Sequence, residues 1–222
     1  MRFVLPILIA ITTLVSVPIV FGQSHQITEA ELTKLNTEAT AKRKGLPLRE
    51  KNTTTGYNPG ASSETLYEFG PNNTYHYLSI KRANGVETKT EGIRIGDVRY
   101  TRRQDGSWIK ELPQGKVSGG SGIGNSANSS APPETTTEYL YIGSEKIHDQ
   151  RAAHYRKIHV VKFISRMPVL TRKVVNDYWF RADGMLVKES LEDVFENPNR
   201  SYKSVTEYEY NKDIKITAPI PD

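Results

Sequence analysis

Two Asp-Gly pairs constrain the fold of this chain more than any other feature, because each lies between runs rich in aromatic and β-branched residues. Asp-Gly in that setting predicts a two-residue β-hairpin turn, in which both central residues take positive φ. Asp183-Gly184 lies within NDYWFRADGMLVKESL, and Asp105-Gly106 lies within RYTRRQDGSWIKEL. The stretch Asn84-Gly85 is a third candidate of this kind. The chain is therefore predicted to fold around antiparallel hairpins.

Short β-like runs separated by turn residues recur about every ten residues, which is typical of an antiparallel meander. Where side chains alternate, as in 201–210, the period is two rather than that of a helix. The predicted strands are 48–52, 64–69, 74–82, 86–95, 98–103, 137–142, 152–165, 170–181, 185–195, 201–210 and 214–217. They indicate an α+β fold that is mainly antiparallel β, with about ten strands.

One helix is predicted, over residues 27–44. Thr28 is the candidate N-cap, Glu31 three residues later completes a capping box, and Gly45 is placed to end the helix. A narrow apolar face is formed by Leu32, Leu35 and Ala39. Because the face is narrow, we expect this N-terminal helix to pack across the sheet.

Residues 1–22 and 113–133 differ in composition from the rest. The first segment has Arg2 followed by a long apolar run and small residues before Gln23, which predicts a cleaved signal peptide; an uncleaved anchor is the alternative. The remainder, 23–222, is then expected to be a single periplasmic or secreted domain, with no stable transmembrane anchor after cleavage. The second segment is rich in Gly and Ser and is predicted to be a flexible insert.

Composition and motifs exclude several functions. The chain has no cysteine, so disulfides, thiolate metal sites, a Cys nucleophile and a lipid anchor on Cys are excluded. The net charge of +5 is spread among 25 acidic residues rather than clustered, so no nucleic-acid partner is predicted. No Gly-x-Ser-x-Gly, P-loop or His-Glu-x-x-His motif occurs. We therefore expect a protein that is not an enzyme and needs no cofactor.

Three histidines, His148, His154 and His159, together with Asp149, raise the question of a metal site. His154 and His159 are five residues apart on one predicted strand, so their side chains should point to opposite faces. Zinc ligands are normally spaced more tightly. A structural or surface role is therefore expected for these histidines, and no metal.

Four segments in order are similar to strands of the bacterial periplasmic outer-membrane lipoprotein-carrier-like (LolA-like) superfamily. They are GIRIGDVRYTRRQDGSW (92–108), YLYIGSEKIHDQRAAHYRK (139–157), DYWFRADGMLVKE (177–189) and YEYNKDIKITAP (208–219). The resemblance implies a curved, incomplete β-barrel with helices packed into its mouth, which holds acyl chains in its concavity. Residues 113–133 stand where the family commonly has a further helix, and their Gly content disfavours one. A lid is therefore expected to be missing or disordered, and no residue of the family's lid can be matched here.

Aromatic side chains on the predicted strands are the candidates for lining such a cavity. The candidate ligand-binding residues are six tyrosines together with Phe180 and Val187. The full set is Tyr75, Tyr77, Tyr100, Tyr178, Phe180, Val187, Tyr208 and Tyr210. The alternative is that these rings reflect β-propensity and cross-strand pairing alone.

Three functions are compatible with the sequence. The first is a non-enzymatic protein that binds a lipid or lipoprotein acyl chain in a concave sheet. The second is an envelope interaction or scaffold protein of the same fold, with its cavity filled by its own side chains and another envelope protein as partner. The third is a hydrolase with an unrecognised site.

Two-residue turns also predict which face of the sheet each side chain occupies. Phe180 would pair with Val187 and share an apolar face with it, while Trp179 would lie opposite Lys188 on the polar face. In the other hairpin, Ile109 would share a face with Val98 and Tyr100, and Trp108 would lie opposite Arg103. Both tryptophans are thus predicted to lie beside a cation and away from the cavity.

Overall fold

The structure is a computed structural model that describes residues 24–56, 60–111, 132–163, 170–196, 200–210 and 213–220. One helix, α1 (Glu29–Arg43), is present in these ranges. The strands are β1 (His25–Gln26), β2 (Leu48–Gly56), β3 (Ser62–Gly70), β4 (Thr74–Ala83), β5 (Val86–Ile95), β6 (Val98–Arg102), β7 (Trp108–Glu111), β8 (Glu134–Ile147), β9 (Gln150–Phe163), β10 (Leu170–Arg181), β11 (Leu186–Phe195) and β12 (Tyr202–Tyr210).

All of these strands form one antiparallel sheet of 12 strands, in the order β1-β8-β9-β10-β11-β12-β2-β3-β4-β5-β6-β7. Pairing of β12 with β2, from Tyr202 with Gly56 to Tyr210 with Leu48, joins the two groups of strands that the sequence predicts. Within the described ranges, the edge strands β1 and β7 do not pair with each other, so the sheet is open. The predicted mainly antiparallel α+β half-barrel with an N-terminal helix is confirmed, with twelve strands rather than about ten.

The helix begins and ends as its sequence predicts. The Thr28 backbone N–H donates to Glu31 Oε2 at 2.6 Å, and the Glu31 N–H donates to Thr28 Oγ1 at 3.2 Å. Gly45 follows the helix with φ of 78°, a conformation that Gly adopts without steric cost. Leu32 and Ala39 are buried against Leu48, Phe180, Leu186 and Tyr208 of the sheet. We call the sheet face that carries α1 the inner face, and the opposite one the outer face.

The turn at Asp183-Gly184 is one residue longer than predicted. Gly184 N–H donates to the Arg181 carbonyl at 2.8 Å, Arg181 N–H donates to the Met185 carbonyl at 2.9 Å, and of the two turn residues only Gly184 has positive φ. Phe180 therefore pairs with Leu186, not with Val187. A β-bulge at Val187 then restores the predicted register, so Trp179 does pair with Lys188.

The Asp105-Gly106 hairpin has the same kind of turn, with Gly106 N–H bonded to the Arg103 carbonyl at 3.0 Å. Here no bulge follows, and the one-residue shift persists along the strand. Trp108 pairs with Arg102 rather than Arg103, and Ile109 pairs with Thr101. The predicted grouping of Ile109 with Tyr100 is therefore wrong, because a shift of one residue exchanges the faces of a strand.

The remaining predictions concern the Asn84-Gly85 turn, the strand at 214–217 and the two segments of unusual composition. Asn84 and Gly85 both have positive φ, 52° and 75°, in a two-residue turn, as expected. Residues 214–217 form no strand, although Ile214 is buried. The predicted signal peptide 1–22 and nearly all of the insert 113–133 lie outside the described residues. Of the helices that the structure describes, none is long and apolar enough to cross a membrane.

Candidate functional site: the inner face

Strand register shows which of the predicted lining residues share the inner face. Tyr208, which packs against α1, pairs with Glu50 of β2. Glu50 pairs with Tyr67 of β3, which pairs with Tyr77 of β4. Since paired residues lie on the same face, and faces alternate along a strand, six of the candidates occupy the inner face: Tyr75, Tyr77, Tyr178, Phe180, Tyr208 and Tyr210.

The other two candidates, Tyr100 and Val187, lie on the outer face. Tyr100 pairs with Ile93 on the outer face and is 3% exposed. Val187 packs with Ala152 and Trp179 on the outer face, because the bulge rotates it away from Phe180. These two residues therefore do not join the other six.

The helix covers one half of the inner face. Phe180 and Tyr208 are buried beneath it, and Tyr178 and Tyr210 pack against the same cluster. The Tyr208 hydroxyl donates to Glu189 Oε1 at 2.7 Å, and the Tyr210 hydroxyl donates to the Leu186 carbonyl at 2.6 Å. Burial, and next the Glu189 charge, raise the pKa of Tyr208. This half is filled by the protein's own side chains.

The other half carries a row of four rings that is not part of the cluster under the helix. Tyr67, Phe69, Tyr75 and Tyr77 follow one another across β3 and β4, with ring centroids 5.8–6.4 Å apart and planes within 25° of parallel. Phe69 remains 36% exposed. We call these residues the aromatic array. Tyr67 and Phe69 were missed by the sequence prediction, although their two-residue spacing opposite Tyr75 and Tyr77 across Asn72-Asn73 is a visible signal.

A cavity of about 980 Å³ lies between the end of α1 and the array. We call it the C-terminal pocket, because residues of the helix end, such as Arg43 and Lys44, form one wall. Leu48, Phe69 and Tyr75 line the opposite side. The array therefore runs directly into the largest of the inner-face cavities described here.

Charge in the C-terminal pocket is mostly positive. Arg43, Lys44, Arg94 and Arg99 line it, with Glu50 as the one acidic residue among its described lining. Burial, followed by the neighbouring Glu189 charge, raises the pKa of Glu50. Burial also raises the pKa of Tyr75, while Arg99 and Arg94 oppose that rise. Arg94 pairs with Tyr75 across β4 and β5, and both arginines line the same pocket as Tyr75.

Two further cavities lie along the inner face. One, of about 520 Å³, separates α1 from β8 and β9 and is lined by His25, Leu35, Tyr141 and Tyr155 among others. The other, of about 500 Å³, is polar. In it the Asn52 side chain donates to Ser204 Oγ and Thr206 Oγ1, both at 2.9 Å. These hydrogen bonds satisfy the polar groups internally and make this floor a poor surface for an apolar chain.

The outer face carries a compact polar network around His154. Its Nε2 lies 2.7 Å from Asp177 Oδ1, its Nδ1 lies 3.0 Å from Glu145, and its ring stacks on Trp179 at 4.4 Å. Burial alone would raise the pKa of Asp177, but hydrogen bonds from His154 and Arg156 outweigh it and lower that pKa. Lys188 lies 4.9 Å from the centre of the Trp179 ring, as predicted, yet Trp179 is only 7% exposed.

The three histidines that were considered as metal ligands lie in different parts of the structure. His154 is on the outer face, whereas His159 pairs with Thr137 on the inner face and contacts its hydroxyl at 2.9 Å. His148 lies in a turn, 3.6 Å from Glu207. Within the part of the chain that the structure describes, no three His, Cys, Asp or Glu side chains are grouped so as to hold a metal ion.

The fold defines an open, curved antiparallel sheet that carries a helix on one face. No family model matches the chain, and no curated protein matches it. Among solved structures it is similar to LprF from Mycobacterium bovis, with 12% identity and a TM-score of 0.49 over 89% of this chain and 100% of that one. It is also similar to a LolA superfamily protein from Nitrosomonas europaea, with 12% identity and a TM-score of 0.25 over 82% of this chain and 92% of that one.

Proposed function

We propose that this protein is a non-enzymatic binder of an apolar chain, such as the acyl chain of a lipid or lipoprotein. The chain would lie along the aromatic array and enter the C-terminal pocket. The observation that carries this proposal is the position of the array: four stacked rings outside the helix-packed core, leading into a cavity of about 980 Å³. The predicted signal peptide would place this binding outside the cytoplasm.

The energetics favour such a ligand. Burial of apolar surface contributes about 0.8 kcal/mol for each methylene, so a long acyl chain needs to bury only part of its length for micromolar binding. The cavity falls within the range of roughly 300–1,000 Å³ that is usual for small-molecule sites. Aromatic rings give broad contact surfaces at little cost in conformational entropy, because they have few rotatable bonds.

Binding of a lysophosphatidylcholine, a zwitterionic lipid with one acyl chain, tests the proposal by native mass spectrometry. Replacing both Phe69 and Tyr75 by Ser should weaken binding at least tenfold, because the ligand loses the two rings that line the pocket. Trp108→Ala removes a ring from the outer face and serves as the matched control, with unchanged affinity expected. Equal binding by all three proteins would exclude the array as the site.

A second candidate is an envelope scaffold that binds no lipid. It is favoured by one observation: the helix-covered half of the inner face is already filled by Leu32, Phe180, Leu186 and Tyr208. The same experiment separates the candidates. A scaffold would bind no lysophosphatidylcholine even as the wild-type protein, and no lipid would co-purify from its own host.

A further inference from the structure

The three inner-face cavities described above differ in the charge of their lining. The C-terminal pocket is lined by four cationic residues and one acid. The cavity beside β8 and β9 has Lys34 with Glu31 and Glu38, and the polar cavity has Glu189 and no Lys or Arg among its described lining. The array therefore leads to the one of these three cavities that favours an anion.

Of these cations, Arg94 is already engaged, because its Nε donates to the Gly96 carbonyl at 2.8 Å and it contacts Asp97 at 3.7 Å. Arg43 lies 5.8 Å from the centre of the Tyr208 ring. In the described ranges, Arg43, Lys44 and Arg99 make no ion pair with a carboxylate. The acid that lines the same pocket, Glu50, has a raised pKa, so its charge is disfavoured there. The three cations without an ion pair, beside a partly apolar cavity, are complementary to a negatively charged group that carries an apolar chain.

We propose that the ligand is an anionic amphiphile, whose phosphate or carboxylate is bound by Arg43, Lys44, Arg94 and Arg99 while its apolar chain lies on the array. This inference rests on the proposed function and names the head group that accompanies the chain. Arg99 is suited to the role, because a guanidinium can donate two parallel hydrogen bonds to one phosphate or carboxylate. Lys44 adds a point charge at the pocket wall.

Two probes with the same acyl chain isolate the contribution of the head group: lysophosphatidylglycerol, which is anionic, and lysophosphatidylcholine, which is zwitterionic. We expect the wild-type protein to bind the anionic probe about tenfold more tightly at low ionic strength, because a few exposed ion pairs together contribute a difference in affinity of this size. The preference should shrink at high salt, since the pocket is open to solvent.

Lys44→Gln with Arg99→Gln is the test variant, because both side chains are exposed and their loss should not disturb folding. The variant should lose most of the preference, because two of the four cations that line the pocket are removed, and the loss should fall mainly on lysophosphatidylglycerol. Arg82→Gln, a cation on the outer face of β4 paired with Glu87, is the control and should keep the full preference.

The outcomes separate the two proposals. Equal binding of both probes by the wild-type protein, or a preference that is undiminished in the variant, would overturn the head-group assignment and leave acyl binding standing. Binding of neither probe would overturn both. Millimolar inorganic phosphate should displace the anionic probe only in part; complete displacement would show a site for the free anion and refute the amphiphile.

Discussion

At the residue scale, Glu50 carries a charge that its surroundings on the inner face disfavour. Burial raises its pKa above the ordinary value of 4.5, and the Glu189 charge adds to that rise. A carboxyl with a raised folded-state pKa contributes stability below its unfolded-state pKa and loses that contribution as pH rises through the folded-state pKa. At neutral pH the charged Glu50 therefore lowers the free energy of unfolding.

Glu50→Gln should accordingly stabilise the protein at pH 7. Because the replacement keeps the shape and removes the charge, a rise in melting temperature of about 2–4 °C is expected, which corresponds to about 1 kcal/mol for a chain of this length. At pH 4 the gain should largely disappear, because the wild-type carboxyl is then mostly protonated. Thermal melts followed by circular dichroism at both pH values measure the difference.

Glu134→Gln provides the control, because Glu134 is exposed at the end of β8. Its melting temperature should follow that of the wild-type protein at both pH values. A lower melting temperature for Glu50→Gln at pH 7 would contradict the argument, and would mean that the Glu50 charge is needed to hold Arg43.

At the scale of elements, the hairpins show what their sequences could and could not predict. Asp-Gly and Asn-Gly located all three turns correctly, and Asn-Gly gave the expected two-residue turn. In the two Asp-Gly turns the aspartate accepts a hydrogen bond from the backbone two residues on, from Ser107 and from Met185, and Gly alone takes positive φ. That side-chain hydrogen bond stabilises the longer turn. The preference of Asp-Gly for two-residue turns does not take this bond into account, so the turn length was not predicted.

The longer turn changes the strand register of only one hairpin, because the β10–β11 hairpin has a compensating β-bulge and the β6–β7 hairpin has none. The β-bulge at Val187 compensates for the extra turn residue. The pairing of Trp179 with Lys188 was therefore predicted correctly, although the predicted turn length was wrong. β7 has no such correction, and its whole pattern of faces is exchanged. Bulges depend on packing between strands, which a single strand's sequence does not contain.

The array itself depends on a glycine in β5. Gly92 lies opposite Tyr77, and a Cβ at Gly92 would come within 2.3 Å of the Tyr77 ring. Gly92→Ala should therefore displace the ring from its place beside Tyr75, and should lower the free energy of unfolding by about 1–3 kcal/mol. Urea unfolding measures the cost, and lysophosphatidylcholine binding should weaken in parallel.

The double variant Gly92→Ala with Tyr77→Ala is the matched control for this steric argument. With the ring removed, the added methyl group has room, so the double variant should be no less stable than Tyr77→Ala alone. If Gly92→Ala destabilises equally in both backgrounds, the effect belongs to the backbone of β5 and not to contact with the ring.

At the scale of the whole molecule, the sheet divides the protein into two faces with different chemistry. The sequence predicted most of the strands and the helix, because both depend on local patterns. It could not predict that β12 pairs with β2, since this contact joins residues about 150 positions apart and leaves no local signal. That pairing brings Tyr67 and Phe69 onto the same face as α1, and so completes the candidate site.

Both tryptophans lie on the outer face, so their fluorescence should not report binding on the inner face. Trp179 is 7% exposed and its Nε1–H donates to Glu145, while Trp108 lies 6.0 Å from the Arg102 guanidinium. Emission from Trp179, isolated in Trp108→Phe, is therefore expected to be blue-shifted and protected from iodide. Addition of either lysolipid to the wild-type protein should leave the emission maximum unchanged.

Phe69→Trp supplies the positive control on the inner face, because it places a new indole in the aromatic array at the pocket. Its emission should shift to the blue when lysophosphatidylglycerol binds, since the acyl chain replaces water around a side chain that is 36% exposed in the wild-type protein. The same titration of the wild-type protein should be silent, with binding verified by native mass spectrometry. A lipid-induced shift in the wild-type protein that is lost in Trp179→Phe would put the ligand on the outer face, beside His154, and would refute the assignment of the site to the array.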